Sequence, residues 1–209
     1  MLSITYQPVR LFGRLMEVEK AEAGGVDPRI LRTRRDVVDA ATALFLAEGW
    51  TAVTHAEVAR RAGYSKATIY AHWPTRLDLV RASVGQICAA SKHPEPTGDL
   101  RGDLVRELVN FADDLARGRL DRVLGGVLER AGTDPAVDEL RQQLYDEGTH
   151  SMEAILRSHL PSDAVEPCLM LLTGGVLVRV AFQGRPADSA FIEDLVGRVL
   201  ASALPDNAT

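Results

Sequence analysis

The chain has 209 residues, of which 46% are apolar and 25% charged, and its formal net charge is −5. This composition is ordinary for a globular chain that can bury a core, either as one large domain or as a small domain and a medium one. Two cysteines, Cys88 and Cys168, are too few for a disulfide framework. Both are interpreted as small buried residues, with thiol sensing as the alternative.

The charge is divided unevenly along the chain. Residues 29–81 hold nine Lys or Arg against five Asp or Glu, whereas residues 82–209 hold twelve against twenty. Phosphate attracts the first segment and repels the second. The division is therefore expected of a DNA-binding head on a regulatory body.

Residues 1–28 carry mixed charge and a Gly24-Gly25 pair, and they are predicted to form a loosely ordered extension with a short helix near residues 11–21. They lack the apolar core and cleavage site of a signal peptide, so a cytoplasmic location is expected. The first long helix is predicted over Pro28–Glu48. Its start carries four arginines that either contact a phosphate backbone or form a solvated basic turn: Arg29, Arg32, Arg34 and Arg35.

Residues 54–76 have the layout of two short helices joined by a tight turn. Thr54 followed by Glu57 predicts a capping box, in which each side chain bonds to the other residue's backbone N–H. Gly63 supplies the positive φ that a chain reversal needs. Together these features predict a helix-turn-helix, with a helical hairpin in an ordinary all-α domain as the alternative.

The second of these helices is predicted to be the reading helix. Ser65 is expected to cap it, Ile69 to face inward as an apolar plug, and Pro74 to end it at Trp73. Its outward side presents short or planar side chains that can meet phosphates or base edges: Lys66, Ala67, Thr68, Tyr70 and His72.

Residues 31–80 resemble the N-terminal DNA-binding domain of TetR-type transcriptional regulators. The matching positions are 38–41, 44–45, 48–50, 53–54, 58–59, 62–66, 68–70, 72–73 and 77. Trp73 stands where the family usually has Phe and Arg76 where it usually has Lys, and both keep the chemistry. The resemblance implies an all-α homodimer, a reading helix in the major groove and a divergent C-terminal domain that binds a small molecule.

The resemblance also assigns roles to individual residues. Phosphate contacts are expected from Thr54, Tyr64, Tyr70 and Arg76. Positions near base edges are expected for Lys66, Ala67, Thr68 and His72, and Ser65 completes the predicted DNA-binding set. The predicted organisation is an extension over residues 1–28, a helix-turn-helix domain over residues 29–80, and a helical effector-binding and dimerisation domain over residues 81–209.

Helical periodicity continues through the rest of the chain, with its clearest break at residues 91–99. Asp134-Pro135 is expected to open one helix, Asp163 with Glu166 the next, and Asp188 the last. The apolar run at residues 168–182 is predicted to be buried on more than one side, because it is apolar nearly all round. The last two helices are interpreted as the dimer interface, with a central core helix in a monomer as the alternative for the apolar run. This run is too short for a membrane span.

An effector pocket is implied among the central C-terminal helices, and most of its candidate residues are expected to be simple core. The candidates are Phe111, Leu115, Leu124, Leu128, Tyr145, Met152, Met170, Arg179 and Phe182. Arg179 must meet a carboxylate, a ligand anion or solvent, and an internal salt bridge is the expected partner. The apolar lining favours a hydrophobic effector.

No catalytic motif is present, and no cofactor is expected. Glu147 and His150 have the spacing of two metal ligands on one helical face, but a second copy of the motif is missing, so a solvated face is predicted. The sequence predicts a repressor released from a palindromic double-stranded DNA operator by a small effector. The alternative is a DNA-binding regulator that responds to a protein partner or to its own concentration.

Overall fold

The computed structural model describes residues 27–91, 93–117 and 119–204. The chain divides into two compact units after Gln86. The domain boundary predicted after residue 80 lies in the same helix as Gln86, Arg76–Ala90, and stays a prediction. The extension and short helix predicted before residue 27 lie outside the described residues.

The described residues form α-helices without any β-strand, which confirms the predicted all-α class. The first helix has the predicted bounds, Pro28–Glu48. The helices are α1 (Pro28–Glu48), α2 (His55–Ala62), α3 (Lys66–His72), α4 (Arg76–Ala90), α5 (Leu100–Ala116), α6 (Leu120–Ala131), α7 (Pro135–Arg157), α8 (Ser162–Leu177) and α9 (Ser189–Ala203).

The first unit packs α1, α2, α3 and the start of α4 around one apolar core. Gly49 ends α1 with a φ of 83° and leads into a 3₁₀ turn, Trp50–Ala52. The ring of Trp50 meets that of Phe45 edge to face, with centroids 6.0 Å apart. The following residues are buried here: Val37, Ala41, Leu44, Phe45, Trp50, Val53, Val58, Ala59, Ile69, Trp73, Leu79, Val80 and Val84.

The second unit packs α5, α7, α8 and α9 around a larger apolar cluster, with Leu108, Leu156, Leu172 and Ile192 among its fully buried members. As predicted, Asp134 caps α7 by accepting a hydrogen bond from the backbone N–H of Ala136. Asp188 caps α9 in the same way through Phe191.

The start and end of α8 differ from the sequence prediction. Asp163 was expected to cap it, but the N-cap is Pro161, and Asp163 lies inside the first turn, where its charge complements the helix dipole. At its other end α8 continues as a π-helical segment, Val178–Phe182, and the chain leaves it at Gly184, which has a φ of 62°.

An irregular segment, residues 93–99, is held on α5 by two buried carboxylates. Asp103 accepts hydrogen bonds from the backbone N–H groups of Thr97 and Gly98, each at 3.0 Å. Glu107 accepts a 2.6 Å bond from Ser151 and lies 3.2 Å from His93. Carboxylates are seldom buried without partners, and these two fix a stretch that has no regular structure.

Candidate nucleic-acid interface

The start of α2 is capped as predicted on one side only. Thr54 accepts a hydrogen bond from the backbone N–H of Glu57 at 3.2 Å. The Glu57 carboxylate does not return to Thr54, as a capping box requires, but pairs with Arg60 and Arg61. Bonds between ionised groups are stronger than a bond to a neutral N–H, and these arginines lower the pKa of Glu57 to about 2.

The turn between α2 and α3 has the predicted geometry. Gly63 adopts a φ of 76° and a ψ of 26°, in the left-handed region that favours glycine. The backbone N–H groups of Gly63 and Tyr64 both donate to the Ala59 carbonyl, at 3.0 and 3.1 Å. Two bonds to one carbonyl end α2 sharply and set the direction of the next helix.

Helix α3 is fixed at both ends and on its inner side. Ser65 accepts a 3.1 Å hydrogen bond from the backbone N–H of Thr68, which confirms the predicted cap. Ile69 is fully buried. The backbone N–H of Trp73 donates to the Ile69 carbonyl, and the helix ends before Pro74. A short helix is therefore held by its caps and one apolar anchor.

The outer side of α3 is open to solvent. Lys66, Ala67 and Tyr70 are exposed, Tyr70 by 51%, and Thr68 and His72 are half-buried beside them. The structure thus brings five of the nine residues predicted to bind DNA onto one short helix. Their contacts with DNA stay predictions.

Two of the predicted phosphate contacts have partners within the chain. Tyr64 donates its hydroxyl hydrogen to the Asp36 carboxylate on α1 at 2.8 Å. Arg76 donates from Nε to the Val53 carbonyl at 2.8 Å, and from a terminal nitrogen to the Trp50 carbonyl. Arg76 therefore holds the 3₁₀ turn against the start of α4, a role that the sequence did not reveal.

His55, the first residue of α2, was missed by sequence reasoning. Its Nε2 lies 2.7 Å from the Trp73 carbonyl oxygen, and its ring stacks on that of Tyr70 with centroids 3.9 Å apart and planes 9° apart. Both partners lie in or just after α3. No local sequence pattern could have indicated this contact.

A second basic surface lies at the start of α1. Arg29, Arg32 and Arg35 are exposed, and the first turn has no acidic residue. A cation in the first turn of a helix opposes the helix dipole, and Arg29 lies in that turn. Phosphate contact and a solvated basic turn both stay predictions for these arginines.

The nine residues predicted to line an effector pocket do not form one group. Leu115 and Met152 are buried in the core, and Phe111 and Leu124 are partly buried against it. The other apolar side chains are exposed on the chain surface by 44–81%: Leu128, Tyr145, Met170 and Phe182. The nine candidates therefore differ widely in burial, and the effector pocket stays a prediction.

Arg179 has a different partner from the one predicted. Instead of an internal salt bridge, its guanidinium lies 4.5 Å from the centroid of the Phe191 ring, and its Nε donates to the Pro186 carbonyl at 3.2 Å. A guanidinium is weakly hydrated and stacks readily on aromatic faces. The half-buried charge is thereby accommodated without a carboxylate.

A polar cluster lies among α4, α5 and α7. Burial, with Glu147 and Asp114 close by, raises the pKa of the Cys88 thiol to about 12, and burial also raises the pKa of Glu147. Such a thiol is protonated at neutral pH, which argues against thiol sensing. Glu147 is half-buried and not part of a solvated face as predicted, whereas His150 is exposed.

Metal ligands are not gathered anywhere in residues 27–91, 93–117 and 119–204, where no group of three or more His, Cys, Asp or Glu is placed to hold an ion. The Glu147 and His150 pair therefore lacks the further ligands that a site would need.

The apolar run at residues 168–182 is buried on one side and exposed on the other. Cys168, Leu172 and Val176 face the core, while Met170 and Leu171 are each 55% exposed. Among the described residues, Ser162–Phe182 is the one helical stretch with the length and composition of a membrane span, with a mean hydropathy of 1.7 and 28% of it buried. The burial predicted on more than one side is not met within a single chain.

Two family models match the chain. Residues 37–83 match the model for bacterial regulatory proteins of the tetR family, and residues 94–199 match the tetracyclin repressor-like C-terminal domain. An uncharacterised HTH-type transcriptional regulator of Mycobacterium tuberculosis is 28% identical over 188 residues, which cover 85% of this chain and 91% of that protein.

Solved structures agree with these matches. The TetR family transcription regulator SCO0332 is 28% identical, with a TM-score of 0.63 over 83% of this chain and 99% of that one. A proposed transcriptional regulator from Saccharomonospora viridis, in complex with choline, shares the fold, with 18% identity and a TM-score of 0.58 over 83% of this chain and 96% of that one. The chain therefore belongs to the TetR family of DNA-binding, helix-turn-helix transcriptional regulators.

Proposed function

We propose that this protein is a cytoplasmic, homodimeric repressor that binds a palindromic operator and is released from it by a small hydrophobic effector. The observation that carries the DNA-reading part is the outer side of α3, where exposed Lys66, Ala67 and Tyr70 stand on a helix fixed by Ser65 and Ile69. A rigid, capped helix with short or planar outward side chains suits the major groove.

Residues of this surface are proposed to divide into two roles. Tyr70 and Arg76 contact phosphates, so replacing either with Ala weakens binding to all duplexes. Lys66 and Thr68 lie near base edges, so their replacement changes sequence preference more than total affinity. Equal losses on specific and random DNA for all four variants would contradict this division.

The exposed apolar side of α8 and its π-helical extension supports a dimer. Leu171, Val178 and Phe182 recur at spacings of seven and four residues, which places them along one face. A Cβ on Gly175 would lie 2.8 Å from Leu195 of α9, whereas one on Gly174 would meet nothing within 4 Å. Gly175 thus serves packing within the chain, and the open face at Gly174 is proposed to receive a second copy.

Sedimentation velocity tests the dimer. Wild-type protein is expected to sediment as a dimer, and Leu171→Glu and Phe182→Glu as monomers with unchanged helical circular dichroism. An exposed charge on α6, as in Asp121→Asn, is the matched control and should leave the dimer intact. A monomeric wild type would overturn this part of the proposal.

An effector is proposed to bind among α5, α6, α7 and α8, where Phe111, Leu124 and the half-buried Arg179 border the core. The choline-bound regulator named above supports a small-molecule site in a C-terminal domain of this fold. An effector that prefers a different spacing of the two reading heads lowers DNA affinity by that difference in binding free energy. A thermal-shift screen that gave hits only with sugars or metals would contradict a hydrophobic effector.

The second candidate function is a DNA-binding regulator without small-molecule gating, controlled by a protein partner or by concentration. The observation that favours this candidate is that the nine predicted pocket residues are divided between the core and the exposed surface. Catalysis is not proposed, because the sequence holds no catalytic motif and the relatives named above are regulators.

Fluorescence anisotropy with the upstream intergenic DNA and a scrambled duplex tests the proposal. At about 0.15 M salt, where non-specific binding is weak, the native fragment is expected to bind at least about a thousandfold more tightly than the scramble. Equal weak binding to both, persisting for duplexes selected from a random library, would overturn the proposed function.

A further inference from the structure

His55 occupies an unusual place in the reading head. It is the first residue of α2, it is only 8% exposed, and it is the sole titratable side chain buried among the described residues of the first unit. Thr54 and Glu57 already cap this helix end without it. Its burial is therefore explained by what it contacts on α3 and not by the needs of α2.

The first contact fixes the end of α3. A carbonyl oxygen only accepts, so the Nε2 of His55 donates its hydrogen to the Trp73 carbonyl, 2.7 Å away. The last carbonyls of a helix have no partner in its own ladder, and Pro74 prevents the ladder from continuing. His55 thereby ties the C-terminal end of α3 to the N-terminal end of α2.

The second contact fixes an outward side chain. The imidazole lies parallel to the Tyr70 ring, 3.9 Å away, and covers one face of it while half of Tyr70 remains exposed. Stacked rings attract each other beyond their area of contact. A tyrosine held on one face by a fixed ring loses less conformational freedom on binding than a free one.

We propose that His55 is a positioning residue for DNA recognition, which sets the Tyr70 ring and the end of α3 without touching DNA. The inference rests on the proposed function, in which Tyr70 contacts phosphate. A buried side chain of α2 would then contribute to the affinity for DNA through the exposed side chains of α3.

Two conservative variants separate the two contacts. His55→Gln keeps an N–H that can reach the Trp73 carbonyl but removes the ring, and His55→Phe keeps a ring for Tyr70 but removes the donor. Binding is measured by anisotropy with a duplex that the wild-type protein selects from a random library, and with a scramble, at about 0.15 M salt. Val37→Ala, a buried change on α1, is the control for loss of stability alone.

The Kd of His55→Gln for the selected duplex is expected to rise about two- to tenfold, as expected for a lost stacking contact, while His55→Phe stays closer to wild type. In a Tyr70→Ala background the same His55→Gln change is expected to leave the Kd unchanged, because the ring through which His55 acts on DNA binding is absent. Val37→Ala is expected to lower Tm at unchanged Kd.

Other outcomes overturn the inference in distinguishable ways. An unchanged Kd for His55→Gln, or the same loss with and without Tyr70, would assign His55 a structural role only. A wild-type protein that selects no duplex would instead overturn the proposed function together with this inference. If His55→Gln does not fold, a folded His55→Phe that loses affinity as strongly as Tyr70→Ala would overturn the role of the stack.

Discussion

The two units of the chain differ in how they hold their irregular segments. In residues 27–86, the 3₁₀ turn and the end of α3 are held through backbone carbonyls that accept from Arg76 and His55. In the described part of residues 87–204, the segment 93–99 is held by the buried carboxylates of Asp103 and Glu107. The first unit thus holds these parts through side-chain donors. The second holds residues 93–99 mainly through buried acceptors, with His159 as a donor to the Gly98 carbonyl.

In both units apolar periodicity sets the helices, while a few polar side chains set the connections between them. The contribution of each unit to stability can be measured separately, because the two tryptophans of the chain, Trp50 and Trp73, both lie in the first unit. Tryptophan fluorescence therefore follows the first unit alone, and circular dichroism follows both.

The largest expected effect is on the apolar cores. Ile69 and Leu156 are fully buried, one in each unit, and truncation of such a side chain to Ala costs about 2–5 kcal/mol. In urea titrations, Ile69→Ala is expected to shift the tryptophan transition to lower urea, and Leu156→Ala mainly the circular dichroism transition. A coincident shift of both probes in both variants would show that the two units unfold as one.

A smaller effect is expected from the acceptors of the second unit. Glu107→Ala removes the carboxylate that accepts from the half-buried Ser151 hydroxyl and lies beside His93, and a hydrogen bond to a charged group contributes about 1.5–3 kcal/mol. The circular dichroism transition should move while the tryptophan transition stays. Glu107→Gln is expected to lose less of the free energy of unfolding, since an amide oxygen still accepts from Ser151. The control is Glu193→Gln, an exposed change that should leave both transitions in place.

The cap of the reading helix comes next. Ser65→Ala removes the hydrogen bond to the Thr68 N–H and is expected to cost about 1 kcal/mol. Tryptophan fluorescence in urea measures it without DNA, so any role of Ser65 in binding does not enter. Ser65→Asp keeps an acceptor at the same place and should recover most of the loss, and a full loss in Ser65→Asp would contradict a capping role.

The predictability of each feature follows the distance between its partners. The cap at Ser65 and the turn at Gly63 depend on residues at most five positions apart, and both were predicted correctly. The full capping box failed because Arg60 and Arg61 compete for the Glu57 carboxylate. The roles of Arg76 and His55 could not be predicted, since their partners lie 15 or more residues away.

The burial of the effector-pocket candidates in the C-terminal unit was harder to predict, for a different reason. Helical spacing shows that Leu115 and Tyr145 lie on helices, but it does not show which faces the neighbouring helices cover. Leu115 is buried in the core and Tyr145 is 44% exposed. Arg179 was expected to find a carboxylate, because a sequence shows the charge of a side chain but not the aromatic face of Phe191 beside it.

The smallest effect concerns the pH dependence of the segment at residues 93–99. The two ring nitrogens of His159 lie 3.0 Å from the Ile155 carbonyl and 3.2 Å from the Gly98 carbonyl. Carbonyls only accept, so both bonds form fully when both nitrogens are protonated, and these backbone acceptors raise the pKa of His159. Asp103 behaves oppositely, because the N–H and hydroxyl groups of Thr97 and the N–H of Gly98 lower its pKa.

The signs of the two contributions follow from linkage. Stability from His159 is fully present below the ordinary pKa of about 6.5 and is lost as pH rises through its raised pKa. Stability from Asp103 is present above its ordinary pKa of about 3.9 and is lost as pH falls through its lowered pKa. The Tm difference between wild type and His159→Gln should therefore shrink from about pH 5.5 to about pH 8.5, while that for Asp103→Asn shrinks only in acid. A His159→Gln difference that is equal at both pH values would show that one nitrogen alone donates, with the imidazole neutral throughout.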